Sequence, residues 1–465
     1  MPGETHPSWW NPWHWPTGIW VLVIGLALML VPFGIRAIRL SGVPLMDEPF
    51  DVEEFVKWNV PEAANAFTEY RQAADMRAKI VAAVVARTGT EPNPYDEVSE
   101  KGWAAADDVT KEWLEANREV LAVWRRGTEK QHALYISPVE FNVETLLPVV
   151  QEMRMFVRLA MLEEARARHE GKFEEAWQWS RAAFRSGGHT SHRGCIIQGL
   201  VGIALHAMST NGMAQWAEQP GVSEEQLKQA IAQIKSDFAL YEQESNIFKA
   251  EYLMMRNTLL SPSWFQMVNS SELPASIMKM GLWVIGEPEL TLRLTRQACA
   301  NQLPELDKPV SQRRKPAGSG IIMLFDRDPA IPLAPRQLDA AGIERILARS
   351  WVARLMLPAI KQADNAMLRL RCRQAAAEAM LAAQAYHRLH GEFPKTLAEL
   401  VPDFLDAVPL DPCDSSGASL LYRRDEASKA VVWSVGEDRT DGGGNVSYAN
   451  NNRASDVGFE LKLAQ

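Results

Sequence analysis

The sequence predicts a mainly α-helical protein that starts with one transmembrane helix and ends in a small α+β unit, a helix on an antiparallel sheet. Three observations predict it. An uncharged apolar run fills residues 18–35. Apolar residues then recur at helical spacing from about residue 50 to residue 300. Two-residue alternation appears only near the end, in SLLYR, AVVWS and DVGFELKL.

Composition bounds the function classes. The 465 residues are 47% hydrophobic and 23% charged, the balance of a folded chain with room for several cores. A formal net charge of -9 argues against a broad nucleic-acid or anionic-lipid surface, because phosphate binding is driven largely by Lys and Arg releasing counterions. Cys195, Cys299, Cys372 and Cys413 lie far apart with no CxxC pair. They encode neither a zinc knuckle nor a disulfide scaffold and are expected as buried free thiols, with one long-range disulfide left open.

Residues 1–40 read as a tail and a membrane anchor. GIWVLVIGLALMLVPFGI, Gly18 to Ile35, holds 18 residues without a charge. As a helix it crosses most of a hydrocarbon core of roughly 30 Å. Trp9, Trp10, Trp13 and Trp15 precede it, and indole rings favour the interface because they are apolar with one polar N–H. No Lys or Arg comes before the run and no A-x-A-like site after it, so a retained single-pass anchor is expected rather than a cleaved signal. The lipid bilayer is thus an expected partner, through residues 18–35. Arg36 and Arg39 follow the span, and by the positive-inside rule alone they place the bulk in the cytoplasm.

Residues 41–302 are expected to form an irregular helical bundle or short solenoid. In VSEEQLKQAIAQIKSDF, Leu227, Ala230, Ile231, Ile234 and Phe238 share one face, and Ser223 with Gln226 forms a capping box. In LPVVQEMRMFVRLAMLEEARARHEGKFEEAWQWSRAAF a first helix ends near Gly171 and a second begins at Phe173. The pair resembles one tetratricopeptide-like hairpin without a fixed-period successor. Residues 303–342, rich in proline, read as a linker or a loop draped on the surface. Residues 343–465 hold a long helix, Ile343 to Leu389, interrupted at most by Pro358, and then the α+β unit.

That unit carries a resemblance. AMLAAQAYHRLHGEFPKTLAELVPDFLDAVPLDPCDSSGASLLYRR, followed by VVWSVGEDRTDGGG and DVGFEL, spans roughly residues 376–463. With Tyr386, Gly391, Phe393, Pro394, Asp411, Pro412, Tyr422, Ser434, Gly436, Asp438 and Asp456 in order, it resembles the globular half of the major pseudopilin of bacterial type II secretion systems. Periodicity agrees: Ala376, Ala379, Met380, Ala383 and Tyr386 form one face for a sheet of residues 420–423, 430–434 and 457–463. The resemblance implies a calcium ion in the loop before the last strand and carries it to Asp438 and Asp456. Asp441 adds a third carboxylate, and Gly442 to Gly444 permit carbonyl oxygens to turn inward. An ordinary acidic turn is the alternative meaning of the same residues. The run Asn445 to Ser455 is longer and richer in asparagine than the family loop. The anchor lacks the basic leader and the FTLIE-like start of a pseudopilin, so processing and polymerisation are not expected. A calcium-binding head belongs where calcium is plentiful, which sets the expected bulk outside the cytoplasm, against the two arginines. The whole chain resembles single-pass bacterial membrane proteins with a helical domain.

Catalytic candidates are sparse. HTSHRGC places His189, His192 and Cys195 three residues apart, but zinc needs about four ligands, or three plus water. A helix start after Gly187 and Gly188, at the surface, accounts for the group equally well. Glu242, Glu244 and Glu251 suit acid and base work, although a solvated helix face is the commoner meaning of such spacing. No GxSxG, HExxH or phosphate-binding fingerprint occurs. The expected function is a membrane-anchored, non-enzymatic scaffold or interaction protein of the bacterial cell envelope, linked to secretion or pilus-like machinery, with an unnamed protein partner. The alternative is a membrane-anchored hydrolase or metal-dependent enzyme with its site in the helical domain.

Overall fold

The computed structural model describes residues 15–446 and 456–463, apart from 59, 146, 263, 269–273, 319–321, 329, 331, 334, 358 and 359. Helices dominate. In chain order they are α1 Thr17–Ser41, α2 Val52–Val56, α3 Ala66–Thr88, α4 Tyr95–Lys101, α5 Asp108–Ala116, α6 Arg118–Thr128, α7 Pro148–His169 and α8 Phe173–Ser191. Then follow α9 Ile196–Ala217, α10 Glu224–Asp237, α11 Glu244–Leu260, α12 Ala275–Val284, α13 Glu289–Leu306, α14 Ala340–Leu347, α15 Trp351–Met356 and α16 Ile360–His390. A two-stranded ribbon pairs β1 Pro316–Ala317 with β2 Leu324–Phe325. The C-terminal sheet is antiparallel in the order β3 Leu421–Glu426, β4 Lys429–Ser434, β5 Val457–Leu461.

Among the described residues, α1 is the one helix long and apolar enough to cross a membrane, and none of its residues is buried. Trp15 packs on Trp20 at its start; Trp9, Trp10 and Trp13 lie outside the described residues. The foot of α1 is fixed to the body. Arg36 donates to the Trp283 carbonyl at 2.7 Å and pairs with Glu289 at 3.0 Å. Phe33 meets the Trp283 ring edge-on, and Arg293 on α13 donates to the carbonyls of Leu40 and Val43.

Local signals set several boundaries. α7 ends at His169, Gly171 takes a φ of +72°, and α8 begins at Phe173, as the hairpin pattern requires. The Ser223 hydroxyl accepts from the Gln226 N–H at the start of α10 while the Gln226 side chain accepts from the Ser223 N–H, the reciprocal box.

The expected long helix from residue 343 is instead three helices, α14, α15 and α16. The break has a physical cause in Ser350, whose hydroxyl accepts from the Ala353 N–H and restarts the helix. The proline-rich stretch is stitched to α13: Asn301 both donates to the Phe325 carbonyl and accepts its N–H. Val310, Ile322, Leu324 and Phe325 are buried.

α16 sits between two layers. One side covers β4 and β5, and the other meets α9 and α10. From Ala376 to Ala385 only Glu378 is not buried. Trp177, Trp216, Leu227 and Ile234 therefore share one apolar cluster with Ala379, Phe393, Val432 and Phe459. The core runs from the helical body into the sheet without a gap.

Candidate functional site

The turn between α8 and α9 holds the sequence HTSHRGC. Its placement corrects the expectation of a helix start at the surface: α8 runs through Gly187 and Gly188 and ends at Ser191, and His189 and Cys195 are buried. Close approach explains the two glycines. A Cβ at Gly187 would lie 2.6 Å from the Tyr241 hydroxyl and 2.9 Å from the Gly202 carbonyl, and one at Gly188 would lie 2.8 Å from the Leu240 side chain. Glycine here admits neighbouring backbone instead of breaking the helix.

His189 is wholly internal. Its Nδ1 lies 2.7 Å from the Tyr70 hydroxyl, and burial, with Arg185 nearby, pushes its pKa down to about 3. It is therefore neutral throughout the ordinary pH range. His192 turns the other way, stacks on Trp58 and sets its Nδ1 3.2 Å from Glu242. Burial lowers its pKa while Glu242 opposes the change. The Arg193 backbone N–H and guanidinium also reach Glu242. Cys195 opens α9 with its thiol pushed up to about 11 by burial, so it is no nucleophile at neutral pH. The structure thus directs His189, His192 and Cys195 to three different environments.

The glutamates correct a second expectation, that of a solvated face. Glu244 is buried between Arg313, at 3.1 Å, and Arg371, at 2.9 Å, and burial pushes its pKa up to about 8 against the pull of Arg371. Glu251 accepts the Ile196 N–H at 3.0 Å, and burial raises its pKa too. Glu242 and Glu244 line a cavity of about 230 Å³ with Ser191, Tyr241, Arg371 and Gln374. Nothing local in the sequence marks this burial, since Arg313 and Arg371 come from distant segments.

At the C-terminus the acidic loop is organised by N–H donors. Asp456, fully buried, accepts from the backbone N–H groups of Gly442, Gly444 and Asn445 at 2.8–3.0 Å. Asp441 accepts from Trp433 Nε1 at 3.0 Å and the Gly443 N–H at 2.8 Å, and Asp438 accepts from the Thr440 N–H. Asp441 and Asp456 thus hold one turn of the loop, with Asp438 at its exposed edge. The glycines point N–H groups, not carbonyl oxygens, at these carboxylates, so calcium here would have to displace donors already in place. Most of the asparagine-rich run lies outside the described residues.

One further group went unread. Among the described residues, Cys372, Asp411 and Cys413 form the one cluster with metal-ligand spacing. The two sulfurs lie 2.7 Å apart, and all three residues are buried. Asp411 accepts from the Ser434 hydroxyl at 2.6 Å and from the N–H groups of Val435 and Cys413 at 2.9 Å. The cysteines lie 41 residues apart, and no motif links them.

With the geometry in place, comparison adds no relative: the chain matches no protein-family model, no curated protein and no solved structure.

Proposed function

We propose that this chain is a membrane-anchored, non-enzymatic scaffold or interaction protein of the bacterial cell envelope. In this reading its bulk stands outside the cytoplasm and its C-terminal unit is a pseudopilin-like head that serves secretion or pilus-like machinery. One observation carries it: the residues fit for chemistry are spent on internal contacts. His189 is held by Tyr70, Glu244 by two arginines and Glu251 by the start of α9. A group engaged in this way holds helices together.

A second reading has one specific support. The His192 and Glu242 pair stands beside the cavity of about 230 Å³, an imidazole oriented by a carboxylate as in many hydrolytic sites. The test is chemical cross-linking of the full chain in its own membrane, with wild type beside the double variant His192→Gln and Glu242→Gln. The scaffold reading expects one adduct of defined mass in both. A wild-type chain that cross-links to nothing overturns it, and an adduct lost only in the double variant transfers the role to the histidine pair. Orientation is tested separately by a reporter fused after Gln465 that works only in the cytoplasm; strong signal would sink the extracytoplasmic assignment.

A further inference from the structure

Beside the foot of α1 the body exposes an apolar face. Ile277 and Met280 on α12, Trp351 and Leu355 on α15, and Leu260 at the end of α11 are each 47–64% exposed. The two short helices belong to one unit, because Leu282 and Val352 share a buried cluster with Phe265 and Val268. Their depth is set by α1. Phe33 lies within the uncharged run and packs on Trp283, the penultimate residue of α12, while Arg36 lies over the same ring. α12 therefore ends at the level where the apolar run of α1 gives way to charge.

Among the described residues the charge on this face has one sign. Neither α12 nor α15 contains an acidic residue, whereas Lys279, Arg349 and Arg354 are exposed. Two carboxylates nearby are engaged elsewhere: Glu287 is buried against Ser350 and Thr291, and Glu289 pairs with Arg36 and Arg293. Exposed apolar side chains beside exposed cations are what an anionic lipid interface accommodates. We propose that the α12 and α15 face lies in the headgroup layer of the bilayer that α1 spans and takes anionic lipid there. The proposal rests on reading α1 as membrane-spanning.

The test uses the full chain in nanodiscs rich in phosphatidylglycerol, with a nitroxide at one of four exposed positions: Ile277→Cys, Leu355→Cys, Leu28→Cys within α1, and Val109→Cys on α5. Collisions with oxygen report lipid, and collisions with a neutral nickel chelate report water. The expected result is an oxygen-dominated signal at residues 28, 277 and 355 and a nickel-dominated signal at 109. Lipid at 28 with water at 277 and 355 overturns the proposal while α1 stays in the membrane. Water at 28 overturns the reading of α1 and the proposal with it. Arg349→Glu with Arg354→Glu is expected to move residue 355 toward water; an unchanged signal removes anionic lipid from the proposal.

A separate observation carries a second inference. The buried Cys372 and Cys413 sulfurs, 2.7 Å apart, are closer than two unbonded sulfur atoms sit. Asp411, the third member of the cluster, already accepts from the Cys413 and Val435 N–H groups and the Ser434 hydroxyl, and three ligands fall short of the four that a structural zinc site takes. We infer that Cys372 and Cys413 close to a disulfide. The two thiols give up two protons and two electrons as the S–S bond forms, and an exchangeable disulfide such as oxidised glutathione takes the electrons and becomes two thiols.

Cell-free synthesis of the full chain into nanodiscs, with oxidised glutathione in one arm and dithiothreitol in the other, makes the test independent of membrane orientation. Denaturation in N-ethylmaleimide and peptide mapping should recover a Cys372–Cys413 peptide in the first arm alone, with Cys195 and Cys299 alkylated. Alkylation of all four cysteines in both arms overturns the inference. So does a pair protected until a chelator removes one zinc per chain.

Discussion

Glu164, in the middle of α7, is buried and pairs with Arg168 at 2.9 Å. Burial outweighs that cation and pushes its pKa up from the ordinary 4.5 to about 7. The folded chain thus holds the proton more tightly than the unfolded chain. The stabilisation is fully present below about 4.5 and is lost as pH rises through about 7. Glu164→Gln cannot ionise and escapes this loss. The difference in unfolding free energy between variant and wild type should move in the variant's favour by about 3 kcal/mol from pH 4 to pH 8. Denaturant titration at several pH values measures it, and a constant difference would show that folding leaves the Glu164 pKa unchanged. Asp456, also buried, collects three backbone N–H donors. Asp456→Ala strands those donors, and charged hydrogen bonds are worth about 1.5–3 kcal/mol each, so a loss of at least about 2 kcal/mol is expected. The loss should appear in chelator as well as in calcium. A midpoint that falls only when calcium is present would make the ion, not the N–H cradle, the source of the loop's order.

At the scale of elements, α8 and α9 meet backbone to backbone. A Cβ at Gly202 would lie 2.6 Å from the Gly187 carbonyl, the reverse of the contact made at Gly187. Gly187→Ala forces the two helices apart, and overpacking of this kind costs about 1–3 kcal/mol. Thermal unfolding checks it; an unchanged midpoint would mean that the helices slide freely past each other. This contact also shows what the sequence could and could not reveal. The turn at Gly171, the cap at Ser223 and the three C-terminal strands were legible because each is written in neighbouring residues, as spacing, capping or alternation. The glycine pair read as a helix start because its reason, Tyr241 and Gly202, comes from other elements. Glu244 read as solvated for the same cause, since Arg313 and Arg371 reach it only after folding. Cys372 and Cys413 looked unrelated until α16 and the loop before β3 came together.

For the molecule as a whole, the apolar cluster shared by α9, α10, α16 and the C-terminal sheet couples the helical body to that sheet. Trp216 stands within it, stacked on Trp177 and bonded to the Phe173 carbonyl. Trp216→Ala should destabilise the chain by about 3–5 kcal/mol, as large buried aromatics do. Hydrogen exchange followed by mass spectrometry should then show protection falling by the same amount in α10 and in β4. Loss confined to α10 would mean that the two parts open independently. α16, packed on both sides, has a consequence for how this chain can evolve. Most helices keep a wet face on which substitutions accumulate at little cost. Between Ala376 and Ala385 this one has almost none, and six of the ten positions are alanine. A larger residue there must displace a helix or a strand, so drift in this segment is confined to swaps that preserve volume. Distant descendants of this chain should therefore diverge first on α3 and α5 and hold the alanine-rich stretch longest.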